Sequence, residues 1–354
     1  MSLINPKAPI LVTGASGYVA GWIVKKLLEA GHTVHATVRD PNKVSSVAHL
    51  QKIASASPGT LKLFKADLLD QGAFSVPMAG CELVIHTASP FVMTGFTDAN
   101  EALVRPALEG TRNVLEAVNA TESVRRVVLT SSVRANFRDS WDARDVPGSR
   151  LDETFWNTTS SVDHQPYLYS KTVAEQEAWA MQKAQHRWDL VCINPGLVVG
   201  PALTTNSISA SITTLQQFGD GTLAMGAPCM WNGLVDVRDV ADAHIIAGFK
   251  PEASGRYILC AESLTLLDMA AALRAHFGTK YPFPRMTVPK ILFWLVSPLF
   301  GYTRDFVWRN MGWPIHFNNE RSREGLGIQY RDVRQAVCEH FQQLIDDGLV
   351  KRRS

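Results

Sequence analysis

Cysteine is sparse in this chain and never closely paired. Cys81, Cys192, Cys229, Cys260 and Cys338 lie far apart, their number is odd, and no CxxC pair occurs. That pattern argues against a disulfide framework and a cysteine-based zinc module, and it predicts a reducing, cytoplasmic setting. The 10 histidines show no HxH or HxxxH grouping, so no metal site is indicated. Charge of either sign is not in excess: 35 Lys and Arg face 33 Asp and Glu, a formal net charge of +2. Neither nucleic acid nor an anionic membrane is called for by that balance. The N-terminus, "MSLINPKAPI", has no basic head followed by a long apolar run and does not read as a signal peptide. Long hydrophobic runs are also lacking. The greasiest stretch, "ILFWLVSPLFGY" from Ile291 to Tyr302, is interrupted by Pro298 and Gly301. It falls well short of the ~20 residues of a spanning helix, which predicts a buried or lid-like helix, with a membrane-surface contact as the alternative. No internal repeat is present.

What the chain does have is length for a large core, 354 residues at 46% hydrophobic. Short β-branched runs alternate with helical stretches through the first half. "APILVTG", "HTVHATV", "LKLFKADL", "CELVIHTAS", "VRRVVLTSS" and "WDLVCINPG" read as strands. Between the first two, Ile23, Val24, Leu27 and Leu28 recur at helical spacing, and Gly31 is the stop. Repeated β-α-β units predict an α/β fold: a doubly wound parallel sheet of Rossmann type with a smaller, mainly helical substrate-binding lobe. The expected division is a dinucleotide-binding domain over 1–195, completed by 232–260, and a lobe formed by 196–231 and 261–354.

The turn "LVTGASGYVAGW" places Gly14 and Gly17 between the first strand and the first helix. Glycine permits a tight turn and lets a pyrophosphate approach the helix N-terminus, where free N–H groups favour anions. Ala20 keeps the helix close to the sheet. Thr13, Ser16, Tyr18 and Val19 flank the turn as further candidate cofactor contacts. At the end of the second strand, where an acidic residue would select NAD, stands Arg39, with Lys43 beyond it and Asp40 between. A guanidinium there suits the 2′-phosphate of NADP. Asp67 and Leu68 follow the third strand, within reach of adenine, and Thr87, Ala88 and Ser89 follow the fourth, beside a ribose. His86 reads as a packed strand residue.

"PYLYSKTVAE" holds two tyrosines, of which Tyr167 precedes Lys171 by four residues and Tyr169 by two. Residues at i and i+4 share a helix face, so Tyr167 and Lys171 project together. The ordered set "TGASGYVA", "ADL", "HTASP", "VVLTSS", "YLYSK" and "NPGLVVGP" resembles the extended short-chain dehydrogenases/reductases. It is most similar to the branch of dihydroflavonol reductases, cinnamoyl-CoA reductases and microbial aldehyde or ketone reductases, from about residue 8 to residue 260. That resemblance implies a Ser-Tyr-Lys site. Tyr167 meets its Y-x-x-x-K spacing and Tyr169 does not. The serine it implies is Ser132, hydrogen-bonding the carbonyl oxygen, with Ser131 as runner-up. Lys171 would lower the phenol pKa of Tyr167 and hold the nicotinamide ribose. Pro195, Gly196, Leu197 and Val198 would pass the carboxamide.

The loop "VRANFRDSW" after Ser132 departs from the family pattern. Phe137, with Asn136 beside it, falls where the plant flavonoid enzymes carry a polar substrate contact. Arg134 is unexpected and would meet an anionic group or the cofactor, unless it is solvated loop charge. Phe91, Ser132, Arg134, Asn136, Phe137, Tyr167 and Met225 are the candidate substrate contacts. The expected activity is NADPH-dependent reduction of bulky or aromatic aldehydes or ketones, reversible as an alcohol dehydrogenase, by a monomer or homodimer. The competing readings are an NAD-dependent nucleotide-sugar epimerase or dehydratase, a redox-sensing binding protein, and a sterol-type hydroxy dehydrogenase.

Overall fold

The structure is a computed structural model and describes residues 4–89, 98–205, 207 and 209–351. The strands, in chain order, are β1 (Ile10–Thr13), β2 (Thr33–Val38), β3 (Thr60–Lys65), β4 (Leu83–His86), β5 (Arg126–Thr130) and β6 (Arg150–Leu151). They continue with β7 (Asp189–Pro195), β8 (Leu197–Val199), β9 (Trp231–Asp236), β10 (Gly255–Leu259), β11 (Glu262–Thr265) and β12 (His316–Phe317). Seven of them form a parallel sheet in the order β3-β2-β1-β4-β5-β7-β10. The order reverses between β1 and β4, and ligands of such sheets sit outside the carboxyl ends of the strands at that reversal.

Helices cover both faces, so the central strands are buried on both sides and read as continuous apolar runs. Along β1 the side chains alternate. Ile10 and Val12 enter one core with Ile23, Val24, Leu27 and Leu28 of the helix Tyr18–Glu29. Leu11 enters the other, with Val114, Leu115 and Val118 of the helix Arg105–Ala120. The returning segment after β9 divides. β10 adds the last strand of the large sheet, whereas β9 pairs with β8 and β11 in a three-stranded sheet. That small sheet packs under the helices Ala210–Asp220, Leu266–Phe277 and Val333–Asp346. Phe341 is its hub, with the rings of Phe277, Tyr281 and Phe283 at 5.1, 5.1 and 5.3 Å. One pairing was not legible in the sequence: β6, from the first half, lies parallel to β12, from the C-terminal part.

The greasy stretch forms a short helix, Lys290–Val296, and a 3-10 turn, Ser297–Phe300. Of the two readings expected, a fully buried helix is not what forms: Phe293 is buried on Val307 and Met311, with Trp294 and Val296 packed partly against the same cluster, while Ile291, Leu292 and Leu295 are exposed. Among the described residues, no helix is long and apolar enough to cross a membrane.

The helix Pro166–Lys183 is joined to the sheet by one buried carboxylate, Glu175. It accepts from Arg256 of β10 at 2.6 and 3.3 Å, from Asn194 of β7 at 2.9 Å, and from the hydroxyl of Ser131 just beyond β5. The remaining donors of Arg256 reach the carbonyls of Glu153 and Phe155, and its guanidinium stacks 3.9 Å from the ring of Trp156. Every polar atom of the Glu175–Arg256 pair is engaged, which is the condition for burying an ion pair without a large penalty, and Asn194 Oδ1 is the one buried side-chain atom of the cluster without a partner among the described residues. Removing one partner leaves the other charge buried and unpaired, at about 3–5 kcal/mol. Glu175→Ala is therefore expected to lose that much stability in urea unfolding. A loss below about 1 kcal/mol would show that water replaces the carboxylate at no cost.

Phe137 belongs to a second core, not to a pocket wall. It is 5% exposed and packs with Val133, Ala143, Leu151 and Phe317, whose ring lies 5.6 Å away. The β6–β12 pairing brings Leu151 and Phe317 to it, and sequence spacing gives no hint of that contact. Phe137→Ala is expected to cost about 3–5 kcal/mol of stability, the usual result of emptying a packed aromatic site. It should leave the rank order of carbonyl substrates unchanged in kcat/KM assays.

Candidate active site

β1 and β4 end side by side, and Thr13 straps them together. Its hydroxyl meets His86 Nδ1 at 2.9 Å and accepts from the backbone N–H groups of Thr87 and Ala88, both at 3.1 Å. Thr13 is thus fully buried and positions the turn rather than lining it. His86 is buried and held neutral, its pKa lowered to about 3 by burial and by nearby Lys171.

The glycine turn follows. Gly14 has φ +65°, and a Cβ there would stand 2.9 Å from the Cα of Ala88. Gly14 must therefore be glycine on two counts, conformation and space. The N–H of Gly17 donates to the Gly14 carbonyl at 2.9 Å, closing the turn before the helix Tyr18–Glu29. That helix has no acidic residue in its first turn, so its N-terminal N–H groups and dipole are open to an anion. Ser16 and Val19 are half-buried and Gly17 is exposed at this opening. Tyr18 is turned away: it is buried and its hydroxyl donates to the Gly200 carbonyl.

Arg39 is exposed at the end of β2, and no partner for its guanidinium is found among the described residues. Asp40, which could have contested the cofactor choice, accepts from the N–H of Asn42 at 2.9 Å and closes a local turn. Lys43 is exposed at the start of the helix Val44–Ser55. Asp67 is half-buried and accepts from the Leu69 N–H at 3.0 Å. A narrow cleft opens at the carboxyl ends of β4 and β5, where Leu68, Ala88, Ser89, Ser131, Lys171 and Glu175 meet. Among the described residues, no group of three or more His, Cys, Asp or Glu is placed to hold a metal ion.

Lys171 reaches into that cleft, its Nζ 2.9 Å from the hydroxyl of Ser89 and 5.9 Å from the ring centroid of Tyr167. Burial lowers its pKa to about 8. Burial raises the pKa of the Tyr167 phenol, and the charge opposing that rise is Arg134. The expected agent was Lys171; the structure brings a second cation to the same phenol. Arg134 stands in the 3-10 turn Val133–Ala135, half-buried, with its guanidinium 4.9 Å from the ring centroid of Phe137. Asn157 fixes that turn by donating to the Arg134 carbonyl at 3.1 Å. The turn packs against the helix bearing Tyr167 and Lys171.

The two serines separate clearly. The Ser131 hydroxyl is committed to Glu175. Ser132 is half-buried at the start of the turn, and its Oγ accepts from the Arg134 N–H at 3.2 Å. Tyr167 begins the helix in an unusual way. The residue capping it, Gln165, has φ +59° and ψ +53°, and Ser149 is the other non-glycine residue with positive φ among those described. Such a conformation persists only where neighbours hold it. Gln165 donates to fully buried Asp139 at 3.3 Å, and Asp139 also binds Arg138, His164 and Asn310 at 2.7, 3.3 and 2.7 Å.

Other candidates fall elsewhere. Asn136 is buried, and its side-chain amide donates to the carbonyls of Asp152 and Phe155 at 3.3 and 3.2 Å. Met225 is 91% exposed and forms no wall of the cleft. Phe91 lies outside the described residues. Pro195 is the carboxyl-terminal residue of β7, and Leu197 and Val198, which follow in β8 of the small sheet, stay candidates for the carboxamide. Gly196 makes that crossing possible: a Cβ there would sit 2.2 Å from the Gly233 carbonyl oxygen. Sequence reasoning missed Glu175, Asp139 and Arg256. The available signal for Glu175 was its place eight residues after Tyr167 and four after Lys171, a carboxylate on the same helix face.

Comparisons with known proteins agree with this geometry. The family model described as "NAD dependent epimerase/dehydratase family" matches residues 10–260. Cinnamoyl-CoA reductase CAD2 of Medicago truncatula is 42% identical over 97% of this chain and 98% of its own length. Cinnamoyl-CoA reductase 1 of Petunia hybrida is 38% identical over 96% and 92%. Among solved structures, Gre2 of Candida albicans in complex with NADPH superposes with a TM-score of 0.75 at 27% identity, covering 96% of this chain and 99% of that one. With its seven-stranded parallel sheet, the family match over residues 10–260 and relatives of 38–42% identity along nearly its whole length, this chain belongs to the NAD dependent epimerase/dehydratase family, the extended short-chain dehydrogenases/reductases.

Proposed function

We propose that this chain is an NADPH-dependent reductase of aldehydes or ketones with bulky or aromatic substituents, reversible as an alcohol dehydrogenase. The observation that carries the reading is that the helix bearing Tyr167 and Lys171 packs on the Ser132 turn, while Lys171 reaches Ser89 in the cleft next to Ala88, against which Gly14 packs. The residues fit the cofactor. Gly14 leaves no room for a side chain, the helix N-terminus behind Gly17 is open to a pyrophosphate, and Arg39 with Lys43 stands where a 2′-phosphate would lie. An epimerase reading with NAD wants an acidic residue at that place. The relatives named as reductases of cinnamoyl-CoA support an aromatic carbonyl compound as substrate.

NADPH, when bound, supplies the hydride. The rest is done by the chain. The Ser132 hydroxyl orients the carbonyl oxygen, and Tyr167 gives that oxygen its proton. Burial keeps the phenol protonated at neutral pH, which suits a donor. In the reverse direction Tyr167 must first lose its proton, a step that Arg134 favours and that rising pH drives. Lys171, still largely charged at neutral pH, shares a hydrogen bond with Ser89 and is placed to hold ribose hydroxyls.

Tyr167→Phe is expected to lower kcat by at least ~100-fold, the usual scale of a lost general acid. NADPH binding, followed by fluorescence, should persist. Tyr169→Phe should keep most of its activity, and the opposite ranking of the two variants would overturn the assignment.

Arg39→Asp tests the cofactor. Loss of a charged hydrogen bond worth ~1.5–3 kcal/mol should lower kcat/KM for NADPH by roughly 10- to 150-fold and leave NADH far less affected. A wild-type enzyme that used NADH at least as well as NADPH would refute the preference.

A further inference from the structure

The segment Met286–Trp308 presents an apolar surface that the fold does not use. Ile291, Leu292 and Leu295 stand on one side of the helix Lys290–Val296 and are 71%, 54% and 53% exposed. Leu299 and Phe300, in the turn that follows, are 86% and 56% exposed, and Trp308 is 50% exposed. The opposite side of the same helix is anchored through Phe293 on Val307 and Met311. The exposed side is therefore a firm platform and not a frayed end. Contiguous apolar patches of this kind mark interaction sites.

The charges around the patch identify its partner. From Lys280 to Arg309 the chain carries five Lys or Arg and one acidic residue, Asp305. Asp305 is engaged by Arg309 at 2.8 Å. Lys290 lies 4.7 Å from the ring centroid of Trp308, and Arg304 lies 4.8 Å from that of Trp294. Leucine, isoleucine and phenylalanine at the tip, tryptophan at the edge and cations on the rim make up the surface of a helix that lies in a lipid headgroup layer. A second copy of this chain fits less well. Two-fold packing of the patch on itself would bring two rims of the same charge together.

We propose that this surface docks the protein on an anionic membrane, with Leu295, Leu299 and Phe300 entering the interface and Lys290 and Arg304 meeting lipid phosphates. The proposal is independent of the reductase reading, because none of these residues belongs to the catalytic or cofactor machinery. The near-neutral net charge does not oppose it, since the attraction is local to the rim.

The test is flotation of the full chain with vesicles of phosphatidylcholine alone and of phosphatidylcholine with phosphatidylglycerol. Binding should be seen with the anionic vesicles and weaken as salt rises. Leu299→Glu should weaken it by at least about tenfold, from the transfer value of one exposed leucine. Carbonyl reduction in solution should be unchanged, which also certifies that the variant is folded. Two results would overturn the proposal: no flotation of the wild type with anionic vesicles, or flotation that Leu299→Glu leaves intact. A third would replace it with a self-association surface: a wild-type dimer by light scattering that Leu299→Glu converts to a monomer.

Discussion

The buried carboxylate of Glu175 is the constraint on which the arrangement of the site depends. It lies on the helix that carries Tyr167 and Lys171, and its hydrogen bonds run to the ends of three parallel strands, β5, β7 and β10. A helix packed on a sheet by apolar contacts alone could slide or rotate by a fraction of a turn at small cost. A carboxylate with donors from three strands cannot, because each displacement would lengthen several charge-assisted bonds at once. The pair Tyr167 and Lys171 inherits that precision. So does the distinction between two adjacent serines, since Ser131 is taken by Glu175 and Ser132 is left to begin the turn.

The start of the same helix is fixed differently. Gln165 is held in a left-handed conformation, and Asp139 beneath it gathers Arg138, His164 and Asn310. Asn310 ends the helix Arg304–Asn310, so the tyrosine end of the helix reports the seating of that C-terminal helix. The lysine end reports the parallel sheet through Ser89 and His86.

Much of this was legible in the sequence, because it depends on local pattern. Strand β1, the glycine turn and the helix after it follow from β-branched residues, the Gly14–Gly17 spacing and the 3.6-residue recurrence of Ile23, Leu27 and Leu28. The Tyr167–Lys171 face follows from helix geometry. What was not legible depends on contacts between distant parts of the chain. Phe137 looked like a pocket residue because it lies five positions past Ser132, and it is core because Phe317, 180 positions further along, covers it. Asn136 reads as a substrate contact, and its amide is taken by the carbonyls of Asp152 and Phe155, sixteen and nineteen positions further along. The stretch 291–302 reads from its apolar composition as a buried or lid-like helix, and hydrophobicity alone does not say which side of a helix finds a partner.

Gly196 has a consequence for how such a protein can move. The chain leaves the large sheet at Pro195 and enters the small one at Leu197, and at the crossing its backbone touches Gly233 with no space for a methyl group on either side. A Cβ on Gly233 would in turn strike Phe317 at 2.6 Å and the sulfur of Cys260 at 2.7 Å. Two backbones in direct contact, backed by side chains from a third and a fourth segment, form a joint without slack. The corner where the sheets meet is therefore the stiff point of the molecule. Any compliance at the cleft is then expected from the segments outside that corner, and a mutation that loosened the corner is expected to change the angle between the sheets.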